Sequence, residues 1–213
     1  ITSSAASDVY KRQSLSFASL GYSVFCVDPK KPVTQSNDDG ADLRTTAFLQ
    51  PAKTFMASLG LWEKLEPFAE PMEIMRIIDS AGDNWPPIET TAKDFLASEI
   101  SDLPFGWNIP NWLLRRTLLE NAMEYSNLEL KFGLTTSSII RRDDAAFVYL
   151  NDGSQVKSKL IIGADGRDSL VRDKSQIKIS KREFSQKALT FIVTHERPHK
   201  NASIEIHRSG GPF

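Results

Sequence analysis

In LIIGADGRDSLVR, residues 160–172, an apolar run of strand character, Leu160-Ile-Ile-Gly163-Ala, meets Asp165-Gly166 and then Ser169-Leu-Val-Arg172. The last of these can begin a helix capped by Asp168 or Ser169. A strand-to-helix turn is where α/β folds bind ligands. Gly163 and Gly166 let a ligand approach the backbone, and a carboxylate at Asp165 can accept hydrogen bonds from ribose or ribityl hydroxyls. The competing reading is a structural turn in which Asp165 serves as a cap, and on chemistry alone the two stand about even. A second Asp-Gly pair, Asp152-Gly153, has strand-like sequence on both sides and reads as a hairpin turn.

Working back from this stretch, residues 138–142, 146–150 and 155–162 have strand character and form a meander joined at Arg142-Asp-Asp144 and Asn151-Asp-Gly153. Asn111 can cap a helix through Leu113, Leu114, Leu118, Leu119 and Ala122, followed by a short strand over residues 128–132. Nearer the start, Leu15, Phe17, Ala18 and Leu20 mark a short helix stopped by Gly21. Residues 22–27 then read as a buried strand ending at Asp28, the second half of a β-α-β unit. Helical spacing from Leu43 to Gly60 predicts a helix broken near Pro51, with a second helical piece from Trp62 to Phe68. Residues 72–79 suggest a strand, Gly82 to Pro87 a turn, and 189–194 and 203–207 further strands. Residues 1–13, ITSSAASDVYKRQ, are polar and aperiodic and look like a foreign or disordered leader.

The chain has 213 residues, with 26 Lys and Arg against 27 Asp and Glu. That balance supplies no field for nucleic acid, so a small molecule is the expected partner. A lone cysteine, Cys26, sits in the strand 22–27 and reads as a buried side chain. No apolar run is long enough to span a bilayer, which leaves peripheral association as the membrane option. His195, His199 and His207 lack ligands at metal spacing and are expected at the surface, with no metal site. Trp62, Trp85, Trp107 and Trp112 read as packing residues, and Lys178, Lys181 and Arg182 as a solvated face, with an anionic membrane surface as the weaker option.

Residues 160–172 resemble the Asp-Gly motif of the FAD-dependent aromatic-ring hydroxylases, in particular the monooxygenases of ubiquinone biosynthesis. Three further stretches match in the family's order. Residues 22–28 are similar to its second strand, Asp42-Leu-Arg44-Thr-Thr-Ala47 to its arginine segment, and NWLLRRTLL (111–119) to the helix facing the flavin. The resemblance implies an α/β fold in which a Rossmann-like FAD-binding portion (14–70 and 109–175) is interleaved with a mixed β-sheet substrate portion (71–108 and 176–213), as in p-hydroxybenzoate hydroxylase. It implies that Asp28 holds the adenosine ribose, that Arg44 lies along the ribityl and phosphate portion, and that Asn111 or Arg115 touches the flavin. It further implies that Asp165, with Gly163 and Gly166, meets the FAD ribose and supports the pyridine-nucleotide region while Arg172 braces the loop. Plainer alternatives stand beside these: a solvated acid at Asp28, an exposed helix-start arginine at Arg44, solvated helix residues at Arg115 and Arg116, and an ion pair of Arg172 with Asp168.

The implied activity is hydroxylation of a phenolic ring, a polyprenyl-phenol intermediate of ubiquinone biosynthesis, with NAD(P)H and molecular oxygen. No catalytic side chain is named. The implied location is cytoplasmic or peripheral on the inner membrane, with association in a biosynthetic complex as an option. Rival readings are a flavin-dependent reductase or halogenase on the same scaffold, and a catalytically inactive interaction module. No glycine precedes Gly21, so the family's GxGxxG loop is missing, and the family's later Gly-Asp motif is missing as well. The sequence is therefore expected to be a piece of such an enzyme, incomplete at both ends, that does not hold FAD unaided.

Overall fold

The apolar residues of VFCVD cannot all face one side of a strand, so the strand they form must be covered on both faces. The computed structural model, which describes residues 7–82, 88–208 and 211–212, shows this. Helix α1 (Ser7–Ser19) ends at Gly21, whose φ of +85° lets its N–H and that of Tyr22 turn back to the carbonyls of Ala18 and Phe17. Strand β1 (Val24–Asp28) follows with four of its five residues buried. Residues 7–13, expected as a foreign or disordered leader, are helical, with Lys11 of this stretch buried.

The segment expected as one broken helix is a strand followed by a helix, β2 (Thr45–Leu49) and α2 (Gln50–Ser58). Thr45 and Thr46 are β-branched and favour extended backbone, and Pro51 is at home in the first turn of a helix, where no intrahelical bond needs its N–H. Helix α3 (Trp62–Leu65) runs into a 3₁₀ turn, Glu66–Phe68, as the helical spacing there predicts. Strands β3 (Glu70–Met72) and β4 (Ile74–Ala81) share the stretch read as one strand, and β5 (Ile88–Leu96) returns antiparallel to β4. Gly82 is a turn residue; the rest of the turn expected there, 83–87, including Trp85, lies outside the described residues. Strand β6 (Gly106–Pro110) leads directly into α4 (Asn111–Met123), and β7 (Leu128–Phe132) pairs in parallel with β1, from Val24↔Leu128 to Asp28↔Phe132.

The meander is β8 (Thr136–Arg141), β9 (Ala146–Leu150) and β10 (Gln155–Ser158), antiparallel in the order β10-β9-β8. Its second turn uses Gly153 at φ +85°, and Asp152 Oδ1 accepts from the Ser154 hydroxyl (2.6 Å) and N–H (2.9 Å). Those bonds, the hydroxyl's first, hold the Asp152 carboxyl below its usual range. Residues 160–164, expected as a strand, form no ladder: β10 stops at Ser158, and the segment pairs with no strand among the described residues. Ile161 nevertheless packs on Val27, Val148 and Leu150, together with Phe25, Leu134 and Val156. After α5 (Leu170–Lys174), the strand expected at 189–194 is likewise unpaired, with Leu189 and Phe191 exposed. An apolar run without a neighbour to take its N–H and C=O groups does not become a strand. Strand β11 (Ala202–Arg208) joins β4 in parallel and β12 (Gly211–Pro212) closes that sheet.

The chain divides into two compact units. One comprises residues through Asp42, 59–61 and 112–190; the other comprises Leu43–Ser58, Trp62–Asn111 and residues from Phe191. Residues 43–58 and 62–70, expected with 14–42, group with the second unit because β2 and β3 both pair with β6. In that unit Phe48, Met56, Trp62, Leu65, Trp107 and Ile109 are buried, and the Trp62 and Trp107 rings meet edge to face at 5.2 Å. Gly106 allows the β2–β6 ladder to close, since a Cβ there would lie 2.5 Å from the Phe48 carbonyl oxygen. Gly106→Ala is therefore expected to destabilise the fold by about 1–3 kcal/mol, as overpacking does, in a urea melt; an unchanged midpoint would show that the ladder can open without cost.

Candidate functional site

The Asp-Gly loop is built around one carboxylate. Asp165 Oδ1 accepts the Ser169 hydroxyl, and Oδ2 accepts the N–H of Val171 at 3.0 Å. Ser169 Oγ in turn accepts the N–H of Arg172 at 3.0 Å and caps α5. Gly166 takes φ +81°, open to glycine at no cost. Gly163 serves the helix: a Cβ there would stand 2.6 Å from Cβ of Val171, so the missing side chain is what lets α5 approach. The capping reading of Asp165 is thus realised, through Ser169 as the cap, and Asp168 does not fill that position. Arg172 Nε lies 3.8 Å from Asp173, the neighbour that takes the place of the expected Asp168 partner, and its side chain is only 24% exposed.

Asp28 ends β1 at the carboxyl edge of the parallel β1–β7 pair. It is buried rather than solvated: Oδ1 accepts the Lys30 N–H at 3.0 Å and Oδ2 faces Lys11 Nζ at 3.6 Å, which a ribose hydroxyl reaching that oxygen would have to share. Its carbonyl accepts the N–H of Gly133 at 3.0 Å. Asn127, which sequence reasoning missed, pins the entry to this strand. Its Nδ2 donates to the carbonyls of Ala18 (2.9 Å) and Tyr22 (2.8 Å), and its own carbonyl accepts from Val24 (2.8 Å). An Asn directly before a short strand is the only sequence signal that could have flagged it. Cys26 is buried as expected, and burial pushes its thiol up.

On α4, Arg115 Nη2 lies 3.2 Å from Asp42 Oδ2, and both side chains are largely buried, so Arg115 is not a solvated helix residue. Arg116 instead stacks over the Trp112 ring at 5.1 Å. Asn111 is the first residue of α4; its Oδ1 accepts the Thr46 hydroxyl at 2.6 Å and its N–H donates to the Arg44 carbonyl at 2.9 Å. Arg44 itself is exposed and stands just before a strand, not at a helix start. Asp28, Arg115, Gly163, Asp165, Gly166 and Arg172 belong to the first unit, and Arg44 and Asn111 to the second. A cavity of about 280 Å³ opens beside residues 159–161, lined among others by Arg141, Arg142, Asp143, Asp144 and Lys159. Its mixed charge matches no single kind of ion.

The family model for the FAD binding domain matches residues 21–208. The chain belongs to this family. The ubiquinone hydroxylase UbiL of Rhodospirillum rubrum is 29% identical over 198 residues, 92% of this chain and 44% of that protein. The 3-demethoxyubiquinol 3-hydroxylase of Escherichia coli is 23% identical over 199 residues, 93% of this chain and 49% of that protein. The chain thus spans about half the length of these relatives. Among solved structures, the flavin-dependent monooxygenase PieE, in complex with FAD and substrate, superposes with a TM-score of 0.65 at 18% identity, covering 84% of this chain and 32% of that one. PqsL of Pseudomonas aeruginosa, in complex with 2-aminobenzoylacetate, gives 0.65 at 19% identity, covering 86% and 47%. At such identities the likeness concerns the fold, which is the α/β arrangement with an interleaved mixed sheet expected from the sequence.

FAD is the cofactor of this family, and the donor chemistry present fits it. A carboxylate stands at the carboxyl edge of a parallel strand, a largely buried guanidinium lies on α4, and a glycine turn precedes a capped helix. Asp165→Ala strips partners from the Ser169 hydroxyl and the Val171 N–H and is expected to destabilise α5 by about 1–3 kcal/mol and to weaken FAD retention. Asp152→Ala, on the meander hairpin, should leave retention unchanged. Flavin absorbance after gel filtration of the natural protein, at matched circular dichroism, reads the difference; equal losses would show that the two turns are equivalent.

Proposed function

We propose that the chain is part of an FAD-dependent monooxygenase that hydroxylates a phenolic ring, a polyprenyl-phenol intermediate of ubiquinone biosynthesis, with NAD(P)H as reductant and molecular oxygen as oxidant. The observation that carries this reading is the match of 92% of the chain to a ubiquinone hydroxylase, within a family match that spans residues 21–208. FAD, when bound, would supply the redox chemistry, the passage of two electrons from NAD(P)H to oxygen, of which one atom enters the ring and the other leaves as water. The protein's own part is to hold and orient. Asp28 would take the hydroxyls of the adenosine ribose, Arg44 the ribityl and phosphate portion, and Asn111 and Arg115 the flavin side. The loop 163–172 would bring Asp165 to the second ribose contact, with Gly163 and Gly166 keeping the backbone close and Arg172 bracing α5.

A polyprenyl substrate resides in a membrane, and no helix among the described residues is long and apolar enough to cross one. The reading therefore includes peripheral attachment to the inner membrane from the cytoplasmic side, alone or within a biosynthetic complex. In the natural protein purified with its flavin, a polyprenylated phenol is expected to stimulate NAD(P)H oxidation and oxygen uptake and to yield hydroxylated ring product. The same phenol without its tail should do so weakly. Flavin retention with no ring-dependent oxygen uptake would contradict the hydroxylase assignment and leave a reductase or an interaction module.

A further inference from the structure

Asp42 meets α4 at two points. Its main-chain carbonyl accepts the N–H of Trp112 at 3.2 Å, and its carboxylate reaches Arg115 Nη2 at 3.2 Å. Trp112 and Arg115 are three residues apart and therefore lie on one face of the helix, one turn from each other. The first bond ties Asp42 to an N–H in the first helical turn, where such groups have no intrahelical partner. The second uses that anchored residue to hold a guanidinium. The two side chains are 12% and 20% exposed, so both ions have given up much of their hydration. A pair in that setting gains little stability over apolar packing, and what it supplies is a defined geometry.

We propose that Asp42 is a positioning residue for the cofactor site, holding Arg115 in the orientation in which it meets the flavin. The inference rests on the reading of α4 as the helix that faces FAD. Asp42 acts through Arg115 in two ways. It removes rotamer freedom that a long arginine would otherwise lose only on gripping its ligand. It also balances the guanidinium charge locally, which suits Arg115 to the uncharged carbonyl and hydroxyl groups of the flavin and ribityl chain rather than to the pyrophosphate. The main-chain bond to Trp112 survives any change of the Asp42 side chain, so α4 keeps that N-terminal contact in every variant below.

The test is a double-mutant cycle on FAD affinity in the natural protein, with apoprotein titrated by FAD and read by flavin fluorescence and by the shape of the visible flavin band. Asp42→Ala and Arg115→Ala are each expected to weaken FAD by about tenfold, the scale of one charge-assisted hydrogen bond. Asp42→Ala/Arg115→Ala should be no weaker than Arg115→Ala alone, and Asp42→Ala should perturb the flavin band in the same direction as Arg115→Ala. Asp42→Asn keeps an oxygen that can accept from Nη2 but loses the charge; it is expected to fall between wild type and Asp42→Ala, and if the alanine variant does not fold, wild-type affinity with an unshifted flavin band in Asp42→Asn overturns the proposal. Losses that multiply to roughly a hundredfold in the double variant, as for independent sites, would overturn the proposal, as would wild-type affinity in Asp42→Ala. A wild-type protein that takes up no FAD would refute the flavin reading itself, and this inference with it.

Discussion

The parallel ladder between Val24–Asp28 and Leu128–Phe132 is the constraint on which the first unit depends. It joins strands about 100 residues apart, and closing a loop of that length costs about 4 kcal/mol beyond a constant. Backbone hydrogen bonds contribute roughly 1 kcal/mol each net, too little to fix the register of such a ladder. The deciding term is burial: Val24, Cys26, Val27 and Leu128 are all sequestered, and full burial of a large apolar side chain contributes about 1.5–3 kcal/mol. Register follows, because a shift of one residue would turn Val27 away from Val148 and Leu150. Asn127 completes the joint by tying the end of α1 and the start of β1 to the start of β7. With the ladder fixed, Asp28 has only one place to be, at the carboxyl edge of the pair.

Interleaving gives the chain its second organising feature. It passes from one unit to the other after Asp42, Ser58, Leu61, Asn111 and Thr190. The passages after Asp42 and Asn111 fall close to Arg44 and Arg115, so residues assigned to one ligand by the family resemblance are divided between the two units. The ladder of β2 with β6 holds the second set: Thr45 pairs with Pro110, and the Thr46 hydroxyl bonds Asn111. In the first unit, the Asp42 contacts to Trp112 and Arg115 hold the arginine of α4.

Much of this was legible in the residues, and the failures have a common cause. The strand before Asp28, the meander and its Asp152-Gly153 turn, and the helix after Pro110 all carry local signals that the fold obeys. The misreadings occur where a neighbour decides. Residues 45–49 have helical spacing of apolar groups, but pairing with β6 draws them into a strand. Residues 160–164 and 189–194 have strand composition and lack a partner among the described residues, so they stay irregular. At the site, chemistry alone left Asp165 balanced between cap and ligand; the geometry shows both its oxygens engaged in bracing α5. The contacts of Asp28 with Lys30 and of Arg115 with Asp42 were invisible because Lys30 contributes only a backbone N–H and Asp42 is 73 residues from its arginine.

The central claim is that the carboxyl edge of β1 and the loop before α5 form part of the FAD site. Amide hydrogen exchange of the natural protein with and without FAD tests it without any substitution. The account predicts that FAD slows exchange at residues 28–30 and 163–172 while the Asp152 hairpin is unaffected. Protection confined to other segments, with these two unchanged in protein that demonstrably holds FAD, would contradict it.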